Sequence, residues 1–116
     1  MLYNHTRKVK ISTKIVHCTN FYEQGTGLVF RTRKAVDDTA WIFSFDTPRK
    51  ISLTMFLVFF SIDVIFLDKD KRVVEIKERF LPFAFYHPKH KANHCIELAQ
   101  GSIKKYQIAI GDRLEF

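Results

Sequence analysis

The sequence predicts a mainly β protein: a compact β-sandwich or half-open barrel with two short peripheral helices. Three observations predict it. Apolar runs of roughly four to eight residues, alternating or continuous, recur along the whole chain and are rich in Val, Ile and Phe. The prolines, Pro48, Pro82 and Pro88, fall at junctions between those runs, where a strand loses nothing by lacking an N–H donor. Helix signals occur in only two places, both short. At 116 residues, 47% hydrophobic, the chain has room for a single domain spanning residues 1–116, and its 12 Phe supply much of the core volume. A chain of this length buries roughly two-thirds of the surface that unfolding exposes, enough to fold without metal or crosslinks.

The elements follow in order. Lys8 to Val16 reads as an opening strand, with Val9, Ile11 and, after a slip, Ile15 on the dry side and Lys10, Ser12 and Lys14 on the wet one. Thr19-Asn20-Phe21-Tyr22-Glu23 has a helix-capping residue followed by an acid that can return the bond, and Gly25 and Gly27 end that turn. In Ala40 to Phe45, Trp41, Phe43 and Phe45 share a face. Ile51 to Leu67 is long enough for a helix, yet its β-branched and aromatic content and the Ser61-Ile62-Asp63 break favour two buried strands. Asp68-Lys69-Asp70-Lys71 is a hairpin turn, and Val73, Val74, Ile76 and Phe80 carry the returning strand toward Pro82. Phe83 to Ala92 reads as a loop holding Tyr86, His87 and His90, and Cys95 to Leu98 as a short strand. Ser102 is placed to cap a brief helix with Ile103, Tyr106 and Ile110 on one face, closed by Gly111, before a terminal strand over Arg113 to Phe116.

Charge and composition narrow the function classes. The net charge is +7, but the cations are spread in twos and threes, and in Asp68–Arg72 and Glu75–Arg79 they interleave with acids as solvated faces do. The start has no apolar stretch fit for a secretory signal, and Ser52, Thr54, Ser61 and Asp63 interrupt the one window long enough to approach a membrane span, so the expected location is the cytoplasm. In that compartment Cys18 and Cys95 read as buried thiols, with a disulfide between them as the alternative. No cofactor is predicted, because Gly25-Thr26-Gly27 lacks both the third glycine and the Lys-Ser/Thr of phosphate loops. No metal is predicted either. His17-Cys18 and His94-Cys95 are adjacent pairs whose side chains leave a strand on opposite faces, and His87 and His90 complete no ligand frame.

Taken in order, Gly27-Leu28-Val29-Phe30-Arg31, Trp41-Ile42-Phe43, Met55 through Ile62-Asp63-Val64-Ile65-Phe66-Leu67-Asp68, Cys95-Ile96-Glu97-Leu98-Ala99-Gln100-Gly101 and Gly111-Asp112 form a family pattern. The chain resembles the DUF192 family, also called UPF0127, and specifically its archaeal branch, over about residues 15–116. The resemblance implies one sandwich-type β domain with a helical turn before the Gly-Leu-x-Phe-Arg motif, and no demonstrated activity. Many bacterial members resemble a Trp-Met-Lys-Asn-Thr stretch leading to Pro-Leu-Asp. Here Thr54, Met55, Phe56, Leu57 and Val58 and then Ser61, Ile62 and Asp63 stand in those places, so only apolar contact is available where the family has Lys and Asn.

Three residues are the candidate ligand-binding positions. Asp63 is an acid inside an apolar run, costly to bury unless paired or hydrogen-bonded; it reads either as a ligand or acid–base group or as a carboxylate holding a bend. Arg31 could clamp a substrate carboxylate or phosphate, or clamp Asp63 or Glu97. Glu97 alternates with Ile96 and Leu98 and so faces away from whatever they pack against, either water or the second side of a cleft. No catalytic residue is assigned. The leading expectation is a non-enzymatic cytoplasmic β domain binding a small ligand or protein partner in a cleft lined by the Ile51–Leu67 strands, with a homodimer expected if the Phe content exceeds what one core holds. The alternatives are a weak nucleic-acid-binding module driven by net charge, and a hydrolase or transferase using Asp63.

Overall fold

Ile62-Asp63-Val64-Ile65-Phe66-Leu67 has no wet side by sequence, and the chain buries all six residues. In the computed structural model, which describes residues 1–18, 38–51, 53–54, 61–81 and 84–116, this segment is β6 of a five-stranded sheet covered on both faces. The strands in chain order are β1 (Leu2–Asn4), β2 (Val9–Ser12), β3 (Lys14–Cys18), β4 (Thr39–Arg49), β5 (Leu53–Thr54), β6 (Ile62–Leu67), β7 (Val73–Phe80), β8 (Phe85–Tyr86), β9 (Ala92–Ala99) and β10 (Leu114–Glu115). One helical turn, α1 (Ser102–Lys105), precedes β10. They form a five-stranded sheet in the order β3-β4-β9-β6-β7, a three-stranded sheet β10-β1-β2 and a two-stranded pair β5-β8. Among the described strands, only β3 runs parallel to its neighbour, β4. The fold is mainly β, as the alternation predicts. Among the described residues no helix is long and apolar enough to cross a membrane.

The register of the large sheet sorts its side chains into two cores. Ile42, Ile96, Ile65 and Ile76 lie directly across from one another on β4, β9, β6 and β7, an isoleucine row that packs with Leu2, Ile11, Leu67, Ile103 and Leu114 under the three-stranded sheet. On the opposite face Trp41, Phe43, Val64, Phe66, Phe80 and Cys95 form the second core, against which Tyr86 and Phe45 pack. Trp41, Phe43 and Phe45 thus share a face, as expected.

Several expectations need correction. The opening segment is two strands rather than one: at Thr13 the chain leaves the three-stranded sheet for the five-stranded one, which is the origin of the slip between Ile11 and Ile15. The segment after Phe83, expected as a loop, contains β8, paired with β5. Ser102 does not cap α1: its hydroxyl donates to the Ala99 carbonyl at 2.6 Å, and the cap position is Gly101, held at φ 90°, a left-handed conformation that favours glycine. Ile110 does not share the helical face, because α1 ends at Lys105. It is 59% exposed, and buried Ile108 takes its place beside Ile103. The helical turn expected over Thr19–Glu23 lies outside the described residues.

What satisfies the start of α1 is Asp63, 40 residues away. Its Oδ2 accepts the N–H groups of Gly101 (3.1 Å) and Ile103 (2.9 Å), while Oδ1 accepts that of Arg79 (3.0 Å). Arg79 sits in a bulge of β7, where the register jumps from Ile62–Phe80 to Val64–Lys77, and its φ of 53° turns its N–H out of the ladder. One buried carboxyl group thus supplies acceptors to two backbone irregularities that the sheet itself leaves unsatisfied. Asp63→Asn, which keeps one acceptor and aims a donor at facing N–H groups, is expected to lower the unfolding free energy by about 2–4 kcal/mol in urea titrations. A loss under about 0.5 kcal/mol would contradict this role.

Candidate functional site

Glu97 lies on β9, the central strand, with Trp41 of β4 and Val64 of β6 directly across from it on either side. The adjoining row on the same face is Phe43, Cys95 and Phe66. Alternation with Ile96 and Leu98 therefore turns Glu97 not into water but into the second core, where it is 8% exposed. Its Oε2 is buried without a hydrogen-bond partner among the described residues. Burial pushes its carboxyl up to about 8, so at neutral pH it is a carboxylic acid, able both to donate and to accept. The Cys95 thiol, two residues earlier on the same face, is free, and burial with the adjacent Glu97 pushes it far up, which leaves little thiolate for nucleophilic chemistry.

Asp63 is not beside Glu97. It pairs in register with Leu98, one position along, and a one-residue offset puts the two acids on opposite faces of the sheet. Each Asp63 oxygen meets backbone N–H groups, as described above. Arg31 lies outside the described residues. Of the three expected positions, then, the two that are described belong to different cores.

Two further acids carry clusters that the sequence reading missed. Glu75, expected on a solvated face, is buried opposite Phe66. It accepts the Tyr86 hydroxyl, the Lys89 and His90 N–H groups (2.9 Å each to Oε1) and the His90 ring at Nδ1 (2.8 Å). Burial raises its carboxyl, but these donors outweigh burial and hold it below the usual glutamate value, while burial and the facing carboxylate push the Tyr86 phenol up to about 12. Tyr86 and His90 therefore bridge rather than stand open. The available signal was the apolar run Val73-Val74-Glu75-Ile76, hidden by the charges that follow it. Asp112 closes the other end: its Oδ2 accepts from Asn4 Nδ2 (2.9 Å), Arg7 Nε (2.8 Å) and the Ala109 N–H (3.0 Å), next to Gly111 at φ 93°. Burial lifts this carboxyl too, and the same bonds bring it below the usual aspartate value.

The sequence matches a known family. The DUF192 profile, described as an uncharacterized ACR, covers residues 3–116. The chain belongs to the DUF192 family. Its relatives named UPF0127 include a Pyrococcus abyssi protein, 31% identical over all of this chain and 97% of its own length. A Pyrococcus furiosus protein is 32% identical over 99% of this chain and 97% of its own length. A Thermococcus sibiricus protein is 33% identical over all of this chain and 74% of its own length. All three are archaeal. Two crystal structures share the DUF192 fold of this chain, each with a TM-score of 0.80: a candidate transcription regulator from Sinorhizobium meliloti (24% identity, 87% of this chain and 79% of that one), and a protein of unknown function from Novosphingobium aromaticivorans (25% identity, 88% and 74%).

Glu97 makes stability depend on pH in a defined direction. Between the ordinary glutamate value of 4.5 and about 8 the folded DUF192 domain keeps a proton that the unfolded chain has released, so stability falls as pH rises through that window. Glu97→Gln removes this term. The melting temperature of the variant relative to the parent is expected to climb steadily from pH 5 to pH 8. A difference that is flat with pH would contradict the buried neutral acid.

Proposed function

We propose that this DUF192 protein is a binding domain without catalytic chemistry of its own, in which Glu97 hydrogen-bonds a neutral polar group of a small ligand that enters the second core beside Trp41. The observation that carries the reading is the buried Glu97 oxygen left without a partner among the described residues, between Trp41 and Val64 and beside the row Phe43, Cys95 and Phe66. An unmade hydrogen bond there costs about 1–3 kcal/mol, and a ligand carbonyl or hydroxyl would recover it. A neutral acid suits such a group better than a metal ion, which needs a deprotonated ligand. Arg31 is the second polar anchor of this reading. Asp63 serves it indirectly, by holding β6 and β7 in shape.

Native mass spectrometry of freshly purified protein tests the proposal. The parent chain is expected to carry a small-molecule adduct that denaturing spray removes. Glu97→Gln, which keeps a donor and an acceptor, should retain the adduct, whereas Glu97→Leu should lose it while melting no lower than the parent, and Arg31→Gln should hold it more weakly. A bare parent chain, or an adduct that survives Glu97→Leu, would overturn the reading.

A further inference from the structure

The β6–β7 turn and β10 wall a groove of about 630 Å³ whose cations are Lys69, Lys71, Arg72 and Arg113 and whose acids are Asp70 and Glu115. The placement of two of the cations is costly. Arg72 and Arg113 face each other across an antiparallel bridge, where like charges destabilise. Arg72 finds one acceptor, the Gly111 carbonyl, 3.2 Å from Nη1. The Arg113 guanidinium has no hydrogen bond or ion pair among the described residues, although Arg113 is anchored through its backbone by Thr6 and His5. Neither acid offsets the pair: Glu115 lies 4.0 Å from His5 Nδ1, and Asp70 makes no ion pair among the described residues. A second hollow opens beside the groove, shares Glu115 with it, and is floored by Tyr3 and Phe116. Tyr3 pairs in register with Glu115 and Lys10, on the side of the three-stranded sheet opposite the buried Leu2 and Asn4.

We infer that this groove binds single-stranded nucleic acid, with backbone phosphate over Arg72 and Arg113 and a base against Tyr3. An anion between the two guanidinium groups relieves their repulsion and takes the bidentate donors that Arg113 leaves unused. The half-buried aromatic surface next to that anion is what separates an oligonucleotide from a bare phosphate, since unpaired bases stack on rings and stacking tolerates any sequence. A duplex fits less well, because the sole helix among the described residues has only four residues and cannot fill a major groove. The groove shares no residue with the Glu97 site, and the inference stands or falls independently of it.

Fluorescence anisotropy with a labelled oligothymidylate of about 12 nucleotides tests it, titrated from about 20 mM to about 200 mM salt. Arg72→Gln and Arg113→Gln are each expected to weaken binding at least about fivefold and to lower the magnitude of the salt slope by about 0.7. Tyr3→Leu should weaken binding at least about fivefold through lost stacking. Lys104→Gln and Lys105→Gln, which remove the same charge from α1, should change it less than about twofold. Arg113→Gln should melt no lower than the parent, since it removes a like-charge contact. Any of three results overturns the inference: no binding at low salt, equal weakening by the α1 variants, which would mean diffuse charge, or an unchanged constant in Tyr3→Leu. Preferential binding to phosphatidylserine vesicles over the oligonucleotide would overturn it as well.

Discussion

A sheet covered on both faces has no water to fall back on, so every polar group that enters it must be satisfied from within the protein or give up its charge. That constraint organises this molecule. Asp63, Glu75 and Asp112 are buried, and each gathers backbone N–H groups that the strands leave unpaired: the β7 bulge and the start of α1, the segment after β8, and the turn before β10. The acids are therefore the joints of the fold, each joining segments far apart in sequence where the ladder breaks. Glu97 occupies the same kind of environment but has backbone ladders, not loose ends, around it. It meets the constraint by holding its proton.

The division of labour explains why two carboxyl groups one register position apart differ so much. Asp63 and Glu97 face opposite cores of the same sheet. On the Asp63 side the β7 bulge at Arg79 and the turn at Gly101 supply donors. On the Glu97 side its neighbours in register are Trp41 and Val64, and its Oε2 has no partner among the described residues. Polar groups of this kind are uncommon in proteins and concentrate at functional positions.

Much of the fold was legible because it is written locally. The alternation of Trp41, Phe43 and Phe45, the continuous burial of Ile62–Leu67 and the Asp68–Lys71 turn, where Asp68 accepts from the Asp70 and Arg72 N–H groups, depend on near neighbours and the period of a strand. What was hidden is non-local. The change of sheet at Thr13 is decided by β4, whose Thr39 pairs with Lys14 from more than 20 residues away, whereas β2 pairs locally with β1. Ser102 carries a good local capping signal, yet the donors at that helix start are taken by Asp63, whose second oxygen competes with any hydroxyl. Glu75 reads as surface because Lys77, Glu78 and Arg79 follow it, while the residues that make it a hub, Tyr86 and His90, lie beyond the next turn. The orientation of Glu97 could be read from its alternation with Ile96 and Leu98, but whether the face it points to is wet depends on what covers the sheet, which no local pattern records.

The charge state of Glu97 is the claim on which the account turns, and it can be observed directly. Carboxyl carbon-13 chemical shifts of labelled protein, with Glu97 assigned by comparison with Glu97→Gln, would follow its titration residue by residue. A midpoint near 8 is expected, far above the ordinary value of 4.5. A midpoint in the ordinary glutamate range would mean that the carboxyl is ionised and satisfied in the folded chain, and would contradict the account.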